Sequence, residues 1–253
     1  MCDAPTETGL GWNGWMEIPP PYAGAANTTV VGAWVDLSHP LEPGMPRVSF
    51  FPQPRFEQIM KMPDHPLNVT EIQMVVHIGT HLDSPRHFFS DGPAFEDIPL
   101  ERLYGPGIVW PVDVEPDGLI EPIHFKGLEE LLNPGDILAL DTGWSEHVHT
   151  PLYDRHPALS TEAARWIVAH QVKMLAVDMP TPDLPVSRRP DGFDWPVHHC
   201  LLANGVLVAE HLRNLGAIGS QRVEFMVNAL NIENADGAPV RILARNTEIA
   251  GNI

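Results

Sequence analysis

The sequence predicts a single α/β domain, built on a mixed β-sheet or barrel-like core with flanking helices. Short apolar runs recur along the chain, and each is bounded by Gly, Pro, Asn or Asp, as is typical of strands. Segments with helical periodicity lie between these runs, so strands and helices alternate. A chain of 253 residues with 43% hydrophobic residues can bury one sizeable core.

Residues 1–28 lack a periodic apolar pattern, so we expect an N-terminal extension at 1–28 and one domain at 29–253. Strands are predicted at Val30–Leu37, Thr70–His77, Gly107–Val114, Asp136–Leu140, Met174–Val177, Val206–Ala209, Val223–Leu230 and Val240–Ala244. Helices are predicted at Lys126–Leu132 and Ser160–Gln171, where Ser160 is placed to cap the first turn.

The charge balance argues against several classes of partner. The chain has 15 basic and 33 acidic residues, a net charge of −18. A field of that sign repels phosphate backbones and anionic lipid surfaces, so we expect no nucleic acid and no membrane among its partners. Apolar windows also fall short of the roughly 18 residues that a membrane span needs.

Cysteine usage and the first residues bear on localisation. Cys2 and Cys200 are the two cysteines, which is too few for a disulfide framework. The start of the chain lacks the basic region and the apolar stretch of a signal peptide. We therefore expect a cytoplasmic protein.

The strongest functional signal is a cluster of donor residues at 77–87. His77, His81, Asp83 and His87 all lie at odd positions, so an extended chain would place them on one side. Such a chain would span roughly 33 Å, whereas donors to one ion must converge to about 2.0–2.2 Å from it. The chain must therefore curl, and Gly79 is the residue between the first two histidines that can take a positive φ without strain.

Two other structures could contain this cluster, a helix and a surface loop. His77 and His81 have the i, i+4 spacing of a metalloprotease helix, but the β-branched residues before His77 and the interruption at Gly79 argue against a helix. A histidine-rich surface loop would explain one histidine more readily than four donors in this pattern. We therefore favour a divalent-metal site.

A second group of donors follows much later. His198 and His199 precede an apolar strand that ends at Glu210, and a strand end at the rim of a sheet is a place where ligands converge. The rival group, His147 and His149, lies in what we predict to be an exposed loop. We favour the first group as the second half of the site.

These residues carry a family resemblance. Residues 77–87 match the pattern His-x-Gly-Thr-His-x-Asp-x-Pro-x-His at every specified position. The chain resembles the cyclase family of metal-dependent hydrolases, which includes bacterial kynurenine formamidases, isatin hydrolases and a trans-dienelactone hydrolase. The resemblance covers roughly residues 30–245, including Asp36-Leu37-Ser38-His39-Pro40-Leu41, Asp141-Thr142-Gly143-Trp144 and the twelve-residue spacing from His198 to Glu210.

The resemblance implies a fold, a cofactor and roles for single residues. The fold would be of the swivelling β/β/α type, and the family commonly forms homo-oligomers such as dimers or tetramers. The metal would be Zn²⁺ or Mn²⁺, as one or two ions, and His87 would be the catalytic acid/base. One ion would be bound by His77, His81 and Asp83, and a second by Asp83, His198 and Glu210. His199 stays open as an alternative to His198.

The implied reaction is hydrolysis of an amide, lactam or lactone of a small, cyclic or aromatic substrate. An open site of imidazoles and carboxylates lowers the pKa of a water bound to the ion toward about 7, and His87 could move its proton. The resemblance would allow Trp12 and Trp15 in the extension to line a pocket for a flat substrate, so we favour an isatin-hydrolase-like or lactone-opening activity. Phe50 and Phe51 could line the same pocket, but we expect them to pack in the core. The alternatives are a kynurenine formamidase and, in another class, a non-catalytic metal-binding or regulatory module.

Overall fold

A computed structural model describes residues 11–17, 28–30, 32–45, 47–48, 50–218 and 222–249. Its strands are β1 Thr28–Val30, β2 Val35–Asp36, β3 Arg55–Met60, β4 Val69–Gln73, β5 His81–Asp83, β6 Tyr104–Pro111, β7 Leu119–Ile120, β8 Ile137–Asp141, β9 Ala158–Leu159, β10 Met174–Val177, β11 Leu207–Glu210, β12 Arg222–Ala229 and β13 Gly237–Ile249. Two α-helices are described, α1 Thr161–Ala169 and α2 Pro196–Ala203. Short 3-10 helices lie at Pro85–His87, Phe95–Asp97, Leu100–Arg102, Pro122–Phe125, Leu128–Glu130, Trp144–His147, Pro151–Arg155, Val186–Arg188 and Leu215–Ala217.

Seven strands form a closed, barrel-like sheet. The order β13-β12-β6-β8-β10-β11-β5 returns to β13, because β5 pairs with β11 on one side and with β13 on the other. The four central strands β6, β8, β10 and β11 run parallel to one another, and the remaining pairs are antiparallel. The predicted α/β fold with a mixed, barrel-like core is confirmed.

The two faces of this sheet pack against different partners. One row of register-paired residues, mostly small, runs round the inside of the barrel: Val109, Ala139, Ala176, Ala209, Leu82 and Ala238. Alternate residues such as Leu138, Leu175 and Val208 point outward and pack with α1 and α2. Because side chains alternate along a strand, His81 and Asp83 lie on the outer face, on either side of the inward-facing Leu82.

Most predicted core elements are present, with ends shifted by a few residues. The runs around residues 107–114, 136–140, 174–177, 206–209, 223–230 and 240–244 correspond to β6, β8, β10, β11, β12 and β13. The helix predicted from Ser160 is α1, and the Ser160 hydroxyl accepts the Ala163 N–H at 3.1 Å. The helix predicted at Lys126–Leu132 is wrong, because that segment forms only a 3-10 turn at Leu128–Glu130.

Two predicted strands need correction. Val30–Leu37 is divided into the short strands β1 and β2, with residue 31 outside the described residues. Thr70–His77 does not lead directly into the donor cluster, since β4 ends at Gln73 and pairs with β3 in a separate two-stranded sheet. Phe50, expected in the core, is 63% exposed and packs edge-on against Phe51.

Part of the N-terminal extension packs against the barrel. The Asn13 N–H donates to the Ala203 carbonyl at 2.9 Å, and the guanidinium of Arg102 donates to the Met16 carbonyl at 2.6 Å. The same guanidinium lies over the Trp15 ring, 4.4 Å from its centroid. Residues 1–10 and 18–27 of the extension lie outside the described residues, as does Cys2. Neither described α-helix is long and apolar enough to cross a bilayer.

Candidate metal centre

Paired strands and one helix converge on a buried set of donors. His81 on β5 lies opposite Glu210 on β11, and Asp83 lies opposite Val208 two residues along the same face. The helix α2 covers this face and brings in His198. All four donor side chains are buried. The structure therefore brings His81 and Asp83 of the cluster at 77–87 close to His198 and Glu210.

The distances within this set fit donors that share a cation. His81 Nε2 lies 3.4 Å from Asp83 Oδ1 and 3.3 Å from Glu210 Oε2. His198 Nε2 lies 3.3 Å from Asp83 Oδ2 and 3.2 Å from Glu210 Oε1. Ligands that surround one ion tetrahedrally at about 2.0–2.1 Å are about 3.3–3.4 Å apart. The close contact of Glu210 Oε1 with His198 lacks hydrogen-bond geometry, so this buried oxygen has no hydrogen-bond partner among the described residues and can coordinate such an ion.

His77 reaches the same set from the loop between β4 and β5. Gly79, with φ of +66°, provides the predicted curl. His77 Nδ1 lies 2.7 Å from Asp83 Oδ1. Its ring occupies the space beside Gly237, where an added Cβ would be 2.6 Å from His77 Cε1. A glycine at 237 is therefore required for His77 to lie over β13.

Each of these three histidines has one ring nitrogen anchored by an oxygen acceptor. Nδ1 of His81 lies 2.8 Å from the Gly79 carbonyl oxygen. His198 Nδ1 lies 2.6 Å from Asp183 Oδ2, and His77 Nε2 lies 2.8 Å from Asp236 Oδ2. Nε2 of His81 and of His198 faces both Asp83 and Glu210, whereas His77 Nδ1 faces Asp83. Such outer partners fix the ring orientation and the tautomer of metal-binding histidines.

Sequence reasoning missed both outer carboxylates. Asp183 accepts the N–H groups of Val197 and His198 at 3.0 Å each, so it caps α2 as well as orienting His198. The helix was missed too, because its N-cap Trp195 gives no capping signal and adopts a φ of +50°. Asp236 is 159 residues from His77. No local pattern links residues so far apart.

His87 lies beside the buried set on the 3-10 helix Pro85–His87. Its ring stacks on His77 with centroids 3.8 Å apart, and its side chain is 25% exposed. His87 Nδ1 lies 3.3 Å from Asp236 Oδ2. A ring nitrogen of His87 is also within 4.8 Å of donor atoms of His77 and Asp83, so the ring borders the same centre.

The alternative histidines lie elsewhere. His199 points away from the set, with Nδ1 3.2 Å from the Trp195 carbonyl and its ring edge-on to Phe88 and Phe89. His147 packs against Trp144 in a 3-10 turn, and His149 is exposed. Among the groups of potential ligands in the described residues, none includes these three histidines.

His211 is a donor that sequence reasoning did not select. It follows Glu210 directly, is buried, and adopts a φ of +57°. Its Nδ1 lies 2.8 Å from the Tyr153 hydroxyl, while its Nε2 has no partner among the described residues. A ring nitrogen of His211 lies within 4.8 Å of donor atoms of His81 and Glu210. The centre is therefore wider than the five predicted ligands.

The electrostatics of the set favour a cation. Burial alone would lower the pKa of His81, but Asp83 and Glu210 outweigh it and raise this pKa to about 10. Burial would raise the pKa of Glu210, but the neighbouring His198 and His81 lower it to about 2. The carboxylates are thus held ionised and draw positive charge, which protons on the imidazoles or a divalent ion can supply. The donor set, with imidazole and carboxylate and no thiolate, fits such an ion.

Comparisons with known proteins identify the family. Residues 35–184 match the model of the Cyclase family, described as "Putative cyclase". A kynurenine formamidase of Bordetella petrii is 30% identical over 72% of this chain and 83% of its own length. One from Bacillus cereus is 27% identical over 84% and 97% of the two chains. Isatin hydrolase A from Ralstonia solanacearum has the same fold, with a TM-score of 0.75 and 23% identity over 87% and 93% of the chains. The chain belongs to the cyclase family of metal-dependent hydrolases.

Proposed function

We propose that this protein hydrolyses the C–N bond of a small aromatic amide, with N-formylated arylamines as the first substrate class to test. The observation that carries the proposal is the buried set of His81, Asp83, His198 and Glu210 with His87 at its edge. Two relatives, at 27% and 30% identity, are kynurenine formamidases, which supports formamides. The sequence alone favours lactam or lactone opening, with a kynurenine formamidase as the alternative.

One reason for predicting a lactam or lactone substrate does not hold in the structure. It depended on the aromatic extension lining a pocket for a flat substrate. Trp15 instead packs under the Arg102 guanidinium, and Trp12 packs against the outer core. Lactam opening stays as a second candidate, because the isatin hydrolase structures share the fold.

The donors would form two ligand sets that share Asp83, and the set of Asp83, His198 and Glu210 has donor atoms within 4.8 Å of one another. His77, His81 and Asp83 would hold one ion, and Asp83, His198 and Glu210 a second. Zn²⁺ and Mn²⁺ both accept these ligands. A divalent ion there supplies a Lewis acid that lowers the pKa of water and polarises a carbonyl.

His87 is the group placed to move protons. It borders the donor set and is partly open to solvent, and its Nδ1 faces Asp236 while its Nε2 has no hydrogen-bond partner among the described residues. Such a side chain can take a proton from water as the carbonyl is attacked and return it to the leaving nitrogen. An amine leaves more readily once protonated, so one residue at this position serves both steps.

The surroundings of His87 suit an aromatic substrate. Phe88 stacks on His198 with centroids 4.8 Å apart and meets His87 edge-on at 4.7 Å. Trp195 lies 6.2 Å from Phe88, and the Arg189 guanidinium lies over the Trp195 ring at 5.4 Å. These partly exposed rings form an apolar wall at the edge of the donor set, against which a flat ring can pack.

The test is a substrate panel on protein of known metal content. Metal-stripped protein is reloaded separately with Zn²⁺ and Mn²⁺, and each form is assayed with N-formylkynurenine, isatin, a dienelactone and a cyclic imide. We expect metal-dependent hydrolysis, fastest with the formamide. Hydrolysis of isatin alone would select the lactam candidate. Failure of every metal-loaded form on every substrate would favour the non-catalytic metal-binding module.

A further inference from the structure

Backbone hydrogen bonds connect both Asp236 and His87 to the same residue, Ser84. The Ser84 N–H donates to the Asp236 carbonyl oxygen at 3.0 Å. The His87 N–H donates to the Ser84 carbonyl oxygen, also at 3.0 Å. Ser84 follows β5 directly and is fully buried, so it is a fixed point in the structure. The distance between Asp236 and His87 is therefore set by the barrel and not by a mobile loop.

The Asp236 carboxylate joins the two loop histidines. Its Oδ2 lies 2.8 Å from His77 Nε2 and 3.3 Å from His87 Nδ1. An ionised carboxylate has only acceptors, so both of these ring nitrogens must carry hydrogens. That assigns the Nδ1–H tautomer to neutral His87 and leaves its Nε2 without a hydrogen. A base needs such a nitrogen to take a proton.

Ring packing allows two orientations of the His87 side chain, and Asp236 selects one of them. His87 stacks on His77 at an interplanar angle of 24° and meets the edge of Phe88. Stacking fixes the plane of the His87 ring but permits a 180° flip about the Cβ–Cγ bond. That flip exchanges Nδ1 with Cδ2 and Nε2 with Cε1. The hydrogen bond to Asp236 is the contact that distinguishes the two orientations.

We propose that Asp236 positions His87. The Asp236 carboxylate holds the orientation of the His87 ring and its Nδ1–H tautomer, so that His87 Nε2 faces the reacting groups. This inference rests on the proposed hydrolase function for its catalytic meaning. Its structural part, the orientation and tautomer of His87, is independent of any substrate.

The experiment compares Asp236→Ala with the parent, both loaded with Zn²⁺ to a measured stoichiometry. Long-range ¹H–¹⁵N spectra report the tautomer of each histidine, and the His87 signals are identified by their loss in His87→Gln. In the parent we expect the Nδ1–H tautomer, and in Asp236→Ala a shift toward the Nε2–H form. We also expect kcat to fall by about 10- to 100-fold while KM stays unchanged.

Two further variants complete the design. Asp236→Asn keeps one acceptor oxygen, and we expect it to retain the Nδ1–H tautomer and to recover most of kcat. Glu233→Gln removes an exposed carboxylate three residues earlier and is the matched control, with no expected change in spectrum or rate. Thermal unfolding of each variant shows that the fold is kept.

Two results would overturn the inference. One is an Asp236→Ala protein whose His87 tautomer matches the parent. The other is a loss of rate that disappears when Zn²⁺ is saturating, which would mean that Asp236 serves His77 alone. If the parent hydrolyses none of the panel, the proposed function fails, while the nitrogen spectra still decide the role of Asp236.

Discussion

The two halves of the metal centre are built differently. In one half, His81, Asp83 and Glu210 lie on paired strands of the closed sheet, and their side chains are at most 7% exposed. In the other half, His87 and Asp236 lie just outside the strands, with side chains 25% and 46% exposed. The buried half is suited to holding a cation, because its donors cannot move apart without opening the sheet. The outer half is suited to exchanging protons with substrate and solvent.

The largest effect should follow from a change in the buried half. His81→Ala removes a donor that contacts both Asp83 and Glu210, so we expect loss of bound metal and of measurable activity. Elemental analysis and the substrate assay check this, with His65→Ala in the exposed β3–β4 hairpin as the control. Full metal retention in His81→Ala would contradict the assignment of metal binding to the buried half.

A change in the outer half should separate activity from metal content. We expect His87→Ala to keep its metal while the rate falls by about 10²–10⁴, the range that general acid–base catalysis contributes. Elemental analysis and the substrate assay test this prediction. An unchanged rate would remove His87 from the mechanism, and a loss of metal would make it a ligand.

The boundary of the buried half can be sharpened at α2. We expect His198→Ala to lower the metal stoichiometry and His199→Ala to leave it unchanged, since only His198 faces the carboxylates. Asp183→Asn should weaken metal affinity by about 10- to 100-fold, because it orients His198 from outside. Competition with a chelator measures the affinity. Equal effects at 198 and 199 would contradict the orientation of the helix.

The smallest effect tests what burial does to a carboxyl that lacks a cationic partner. Burial raises the pKa of Asp178 to about 7, whereas histidine neighbours lower that of the equally buried Glu210. A raised pKa in the folded state means that Asp178 stabilises the fold when protonated. This stabilisation is complete at low pH and is lost as the pH rises through about 7.

The measurement is the free energy of unfolding in urea at pH 6 and pH 8. Relative to Asp178→Asn, which cannot ionise, the parent should lose about 1 kcal/mol between these pH values. A constant difference between the two proteins would show that Asp178 is ionised throughout, held by the Thr142 and Trp144 N–H groups.

The sequence was most informative where a pattern is local. The curl at Gly79, the capped helix α1 and the strand that ends at Glu210 each follow from a few neighbouring residues. The separate β3–β4 hairpin was missed because the run that ends at His77 has strand character on both sides of its break at Gln73. Asp183, Asp236 and His211 were missed because their partners are brought close only by closure of the barrel and by α2.

The three residues of β5 have a consequence for how the protein loses its structure. Among the described strands, β5 is the one that joins β11 to β13, and two of its residues are candidate ligands. An ion bound by His81, Asp83 and Glu210 would link β5 to β11 at the place where the barrel closes. A ligand present at a thousand times its Kd stabilises the folded state by about 4 kcal/mol. We therefore expect metal-loaded protein to resist proteolysis and heat for longer than metal-stripped protein.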